Sequence, residues 1–178
     1  AGNDAHGNFN IYRQIKFPMV SLYEKKEQIF GQFRTGVYPT KKNDISTIIK
    51  SLKNGNCFVT NAPLLNMTFH SDSSIYAMGS VVNVDNGILN ISVISTPEFG
   101  KIKKIVIKKG VVGERKEIDY FSIMNPKIYA LNKSIEIYAD SKCYYRCEVE
   151  LEFLGGNKKF ALTNPIWLFP NIMEDVLN

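Results

Sequence analysis

The chain has 178 residues, 44% apolar and 22% charged, with a net charge of +5. That is enough sequence for one domain with its own core, and too apolar for a disordered chain. No apolar run approaches the roughly 20 residues of a membrane-spanning helix, no basic-then-apolar leader opens the sequence, and positive charge carried mainly by Lys rather than Arg argues against a nucleic-acid partner.

Residues 1 to about 40 read as irregular and rich in Gly, Asn and aromatic side chains. Asp4 and His6 stand two apart there, with Gly7 directly after. In an extended segment such residues project to one side, and a carboxylate–imidazole pair suits Zn, Mn or Fe. Two ligands do not make a site, so on spacing alone a coincidence is the plainer reading. A charged helix is predicted over Ser21 to Phe33, with Leu22, Ile29, Phe30 and Phe33 fitting one face only in part and Gly31 weakening it. A second helix is predicted over Asn43 to Lys53. Asn43 is its expected N-cap, and Asp44 complements the helix dipole. Ile45, Ile48, Ile49 and Leu52 form one stripe expected to be buried. Asn54-Gly55 ends it.

After Gly55 the period changes from helical to two. "CFVTNAPLLNMTF" reads as two strands around a Pro break, and "SVVNVDNGILNISVIS" as a hairpin about Asp85-Asn86-Gly87. "KIKKIVIKKGVVG" sets Ile105 and Ile107 against Lys104 and Lys108, with a turn at Gly110. "SIEIYADS" turns Ile135 and Ile137 inward. The strongest alternation is "YYRCEVELEFL": Tyr145, Cys147, Val149, Leu151 and Phe153 face one way, Tyr144, Arg146, Glu148, Glu150 and Glu152 the other. "YFSIMNPKIYALNK" reads as a long loop or a broken helix. Seven or eight short strands with turn signals between them predict a mainly β chain, an antiparallel, immunoglobulin-like β-sandwich over roughly 56 to 170.

Cys57, Cys143 and Cys147 are odd in number and irregular in spacing, which predicts no disulfide framework and a reducing, cytoplasmic compartment. His70 reads as a surface histidine. Two Thr-Asn pairs precede Pro at strand ends, in "VTNAP" and "LTNP"; they read as structural corners, or as the rim of a neighbouring active site. The lysines from Lys101 to Lys116 form a basic strip without interleaved aromatics, read as a solvated strand that discourages edge pairing rather than a polyanion site. Glu148, Glu150 and Glu152 read as a solvated face. No phosphate-binding Gly loop, nucleophile elbow or Cys-His pair is present.

Several of these pieces together carry a resemblance. "GNDAHGNFN", "YRQIKFP", "TGVYP", "IIKSLKNGNCFVTNAPLL", "YYRCEVE" and "ALTNPIW", spread over most of the chain, resemble the C-terminal part of bacterial PHP-family (polymerase and histidinol phosphatase-like) metal-dependent phosphoesterases, in the branch with a β-sandwich after the catalytic barrel. The resemblance implies that residues 1–40 are the remnant and junction of a β/α barrel, and 41–178 a helix plus accessory sandwich. It implies that Asp4 and His6 are the last metal ligands of the intact enzyme, where divalent metals make a bridging water nucleophilic. The family's opening His-x-His and middle ligands are absent from these residues. The implied partners are the N-terminal barrel and a phosphorylated substrate, with no membrane and no nucleic acid; this portion by itself would be inactive and hold no metal. The reading set beside it is an independent binding module for carbohydrate, polyanion or protein.

Overall fold

The computed structural model describes residues 33–39, 44–152 and 158–170, with the backbone of 12–17 and 20–23. Its elements in chain order begin with β1 (Tyr12–Phe17), β2 (Val20–Tyr23), β3 (Arg34–Val37), α1 (Ile45–Lys53), β4 (Cys57–Thr60), β5 (Leu64–Ser71) and β6 (Ser74–Ala77). They continue with β7 (Val81–Val82), β8 (Asn86–Ile94), β9 (Ile102–Val111), β10 (Ile118–Met124), β11 (Ala130–Tyr138), β12 (Cys143–Leu151), β13 (Lys159–Thr163) and β14 (Ile166–Leu168).

The chain is mainly β, and two of its sheets share one core. The larger runs β10-β9-β12-β13-β4-β3, with β14 continuing beside β12 and β7 beside β14. The smaller runs β11-β8-β5-β6 and is antiparallel throughout. Alternation along the strands turns Leu65, Met67, Phe69, Leu89, Ile91 and Val93 inward from the smaller sheet. Ile105, Ile107, Tyr145, Cys147, Val149 and Leu151 meet them from the larger. Burying side chains of this size stabilises by about 1.5–3 kcal/mol each, which makes this two-sheet interior the main source of stability. β3 hydrogen-bonds to β4, so the larger sheet extends back to Arg34.

Several local expectations are corrected. Ser21–Tyr23 are strand rather than helix, paired with β1, and Phe33 is a bend; positions 24–32 lie outside the described residues. The run Val-Ser-Leu-Tyr favours pleated backbone, and an available partner strand outweighs a partial helical stripe. The N-cap of α1 is Asp44, not Asn43: its backbone is extended, and its carboxylate accepts from Thr47 N at 2.7 Å. The predicted stop is found. Gly55 takes φ +71°, Gly55 N donates to Leu52 O and Asn56 N to Ser51 O, a Schellman ending.

The stripe of α1 is not buried. Ile45 is 77% exposed, Ile49 46% and Leu52 45%, while Ser51 is the buried residue. Ser51 Oγ reaches the carbonyl of Tyr38 at 3.4 Å. The helix seats its small polar side toward β3 and turns its aliphatic edge outward.

Asp85-Asn86-Gly87 is not a hairpin. Asn86 and Gly87 pair with Tyr138 and Ile137 of β11, and β7 pairs in parallel with β14. Gly87 is there for space: an added Cβ would sit 2.4 Å from His70 O and from the Phe69 ring. Gly110 likewise makes no turn. It lies opposite Tyr144, whose ring would be 2.3 Å from an added Cβ, and the turn falls at Gly113, φ +94°. The stretch expected as loop or broken helix is strand at both ends, in β10 and β11, and irregular only at 125–129 between them. The strand count exceeds the predicted seven or eight, because two- to four-residue strands pair where sequence pattern shows little. Among the described residues no helix is long and apolar enough to cross a membrane.

Candidate functional site

Asp4 and His6 lie outside the described residues. Among the described residues no three His, Cys, Asp or Glu side chains are grouped to hold a metal ion. His70 is half-buried, one residue from the end of β5, with Nε2 3.1 Å from Thr68 Oγ1. Cys57, Cys143 and Cys147 are free thiols, and burial pushes the Cys147 thiol far above its ordinary value.

The two Thr-Asn corners form a reciprocal clamp around the β4–β13 pair. Asn61, one residue past β4, donates through Nδ2 to Lys158 O at 2.9 Å and accepts from Phe160 N at 2.7 Å. Asn164, one residue past β13, donates to Gly55 O at 2.9 Å, and its backbone N–H reaches Cys57 O. Each Asn thereby fastens the beginning of the other strand. The threonines are buried: Thr60 Oγ1 donates to Pro63 O at 2.7 Å, and Thr163 Oγ1 accepts from Cys147 N at 2.8 Å. The corners satisfy backbone groups where each ladder stops, which is the work expected of such side chains.

The larger sheet's outer face is a charge ladder. Arg146 is bound bidentately by Glu117 (Nε–Oε1 2.7 Å, Nη2–Oε2 2.5 Å), and its Nη1 lies 2.7 Å from Glu148. Tyr144 donates to the same Glu117 at 2.9 Å and packs its ring 4.7 Å from that of Trp167. Lys108 pairs with Asp119, and Lys103 with Glu150 at 2.7 Å. The hydrogen bonds from Arg146 hold the Glu117 carboxyl below the usual carboxylate range, and Lys103 does the same for Glu150. Beside the ladder, Val106, Phe160 and Leu162 floor a recess of about 230 Å³ rimmed by Lys104, Lys158, Glu148 and Glu150. β9 is therefore not an edge strand: it runs between β10 and β12. Glu148 and Glu150 are paired rather than merely solvated.

The smaller sheet's outer face has different chemistry. Register places Asn66, Ser92 and Asn132 in one row across β5, β8 and β11, and Thr68, Asn90 and Ser134 in the next. A shallow recess of about 210 Å³ lies along these two rows. Ser134 Oγ bonds Asn90 Oδ1 at 2.5 Å. Leu64, Ile94 and Ala130 border the rows at one end, and His70, Ile88 and Glu136 at the other. Neither row contains a Lys or Arg; Lys133, exposed on β11 between the two rows, also lines the recess, with its Nζ over the Phe121 ring at 5.8 Å. The sequence reading missed this surface. Its signal is the alternation of uncharged polar residues in "LNMTF", "ILNIS" and "LNKSIE", which becomes a surface only once the strands are in register.

Comparison with protein-family models, with curated proteins and with solved structures finds no match in any of the three.

Proposed function

We propose that this chain is the accessory, immunoglobulin-like sandwich of a PHP-type metal-dependent phosphoesterase, packed on the catalytic barrel and shaping its substrate entrance. Residues 1–40 are then the end of that barrel and its junction, except that β3 already belongs to the sandwich's larger sheet. Asp4 and His6 supply the last two ligands of a Zn, Mn or Fe site whose remaining ligands belong to the barrel. The observation that supports the reading is the reciprocal clamp: Asn164 of "ALTNP" bonds Gly55 of "NGNCFVTNAP", and Asn61 of "NGNCFVTNAP" bonds Lys158 and Phe160, just ahead of "ALTNP". The outward aliphatic edge of α1 supports the same reading, because apolar surface directed away from the core fits packing against a second body. The free thiols fit a cytoplasmic setting.

The polyanion form of the binding-module reading is weakened at the basic strip, where Lys103, Lys108 and Lys109 each lie within ion-pair distance of a carboxylate. The test uses the polypeptide together with its upstream coding sequence, read first for a barrel that opens with His-x-His. Metal content and hydrolysis of a chromogenic phosphate ester are then measured in Asp4→Ala and His6→Ala. Loss of both properties is expected, with no hydrolysis by the 178-residue chain alone. Full activity and metal content in both variants would overturn the ligand assignment.

A further inference from the structure

The neutral outer face of the smaller sheet has a feature that structural economy does not require. In a chain with 22 Lys and Arg against 17 Asp and Glu, three adjacent strands present amides and hydroxyls where the other sheet presents ion pairs. Asn66, Ser92 and Asn132 form a continuous row. Each Asn amide offers two donors and an acceptor, and each Ser or Thr hydroxyl offers both roles. In the neighbouring row the Ser134–Asn90 bond occupies the Asn90 oxygen from one side, leaving its Nδ2 donors to whatever lies above the sheet. Such a grid can match hydroxyls at many angles. The rows themselves carry no charge with which to hold a phosphate or a nucleic-acid backbone, and the Nζ of neighbouring Lys133 lies over the Phe121 ring.

The borders complete the pattern. Leu64 and Ile94 are exposed at one end of the rows, and Ile75 and Ile88 at the other. Tyr138, 67% exposed, follows Glu136 on the same side of β11 and supplies an amphipathic ring. A ligand that both hydrogen-bonds along its edges and lays apolar C–H surface on aliphatic and aromatic side chains fits this arrangement, and a sugar ring has both properties.

We propose that the outer face of the four-stranded sheet binds a neutral glycan, with the Asn66–Ser92–Asn132 and Thr68–Asn90–Ser134 rows hydrogen-bonding its hydroxyls across the recess. The proposal does not depend on the phosphoesterase reading. It deepens the binding-module reading by naming the ligand class and the face, and it stands or falls separately from metal content and hydrolysis. A neutral ligand explains why the two central rows carry no charged side chain while Lys is abundant on β9.

The experiment is affinity electrophoresis and calorimetry of the full 178-residue chain against soluble neutral glucan, mannan and xylan, with heparin as the anionic probe. Saturable binding to at least one neutral glycan is expected, with affinity changing less than about twofold between 0.05 and 0.5 M salt, since no counterions are released. Asn132→Ala should weaken it by about fivefold, the worth of one neutral hydrogen bond, and Asn90→Ala by at least as much. Asn132 is exposed, so its variant stays folded and keeps the test valid if Asn90→Ala does not. Glu150→Gln, on the opposite face, should bind as the parent does. Failure to bind any neutral glycan, binding to heparin alone, or undiminished binding by a folded Asn132→Ala variant would each overturn the proposal.

Discussion

The two outer faces of the sandwich are built on the same pleated scaffold and solve different problems. On the larger sheet, charge is answered by charge: Glu117, Arg146 and Glu148 form a closed set, with Tyr144 donating into it, and Lys103 and Lys108 each meet a carboxylate. On the smaller sheet, the amides and hydroxyls of two rows share one side-chain bond, Ser134 to Asn90, and Thr68 contacts His70. A face that satisfies itself contributes to stability. One that leaves its hydrogen-bonding capacity directed outward contributes little to stability and is available for recognition. The contrast places structural work on one side of the molecule and, under the glycan proposal, binding on the other.

The sharpest way to break this comparison is Arg146→Ala. It removes the bidentate partner of Glu117 and leaves a carboxylate that is three-quarters covered with Tyr144 as its remaining partner. Hydrogen bonds to charged groups are worth more than neutral ones, and solvent at the rim discounts them, so a loss of about 1–3 kcal/mol is expected in urea unfolding. Glycan binding on the other face should be unchanged.

A second, smaller effect is pH-dependent. Glu117 has its folded carboxyl held low, chiefly by the hydrogen bonds from Arg146. Its contribution is therefore complete above the unfolded glutamate value of about 4.3 and is lost as the pH falls through the lower folded value. Between pH 5 and 3 the parent should lose stability more steeply than Glu117→Gln, whose side chain does not titrate. Equal slopes would mean that the pair does not stabilise the fold.

The smallest effect belongs to the neutral face. Asn132→Lys should change stability by less than about 0.5 kcal/mol, as for surface positions without partners, while abolishing the face's neutrality at its centre. A large loss of stability in this variant would show that the row does structural work and would erase the contrast.

How much of this was legible in the sequence depended on how local each signal was. β12 could be read directly, because its inward and outward residues alternate without interruption from Cys143 to Leu151. The end of α1 was legible for the same reason: Asn54-Gly55 is a local signal, and Gly55 has the positive φ it implies. Signals that depend on a distant strand misled. Gly87 and Gly110 look like turn residues but are glycines because Phe69 and Tyr144 press against them from strands far away in sequence. The aliphatic period of α1 was clear, yet periodicity defines a stripe without saying which way tertiary packing will turn it. β9 looked like a Lys-guarded edge because its lysines were visible and the carboxylates of β10 and β12 that cover it were not yet placed beside it. The neutral face was invisible for a related reason: each strand supplies only two or three of its residues, and register assembles them.

The most direct test of the division between the faces is a two-dimensional amide NMR titration of the full chain with a neutral glycan at 0.5 M salt, following the Asn side-chain NH₂ signals. The account predicts saturable shifts at Asn66, Asn90 and Asn132, with Asn61 and Asn164, the clamp residues, unmoved. Shifts confined to the larger sheet's charged face, or no shift at those three asparagines with any neutral glycan, would contradict it.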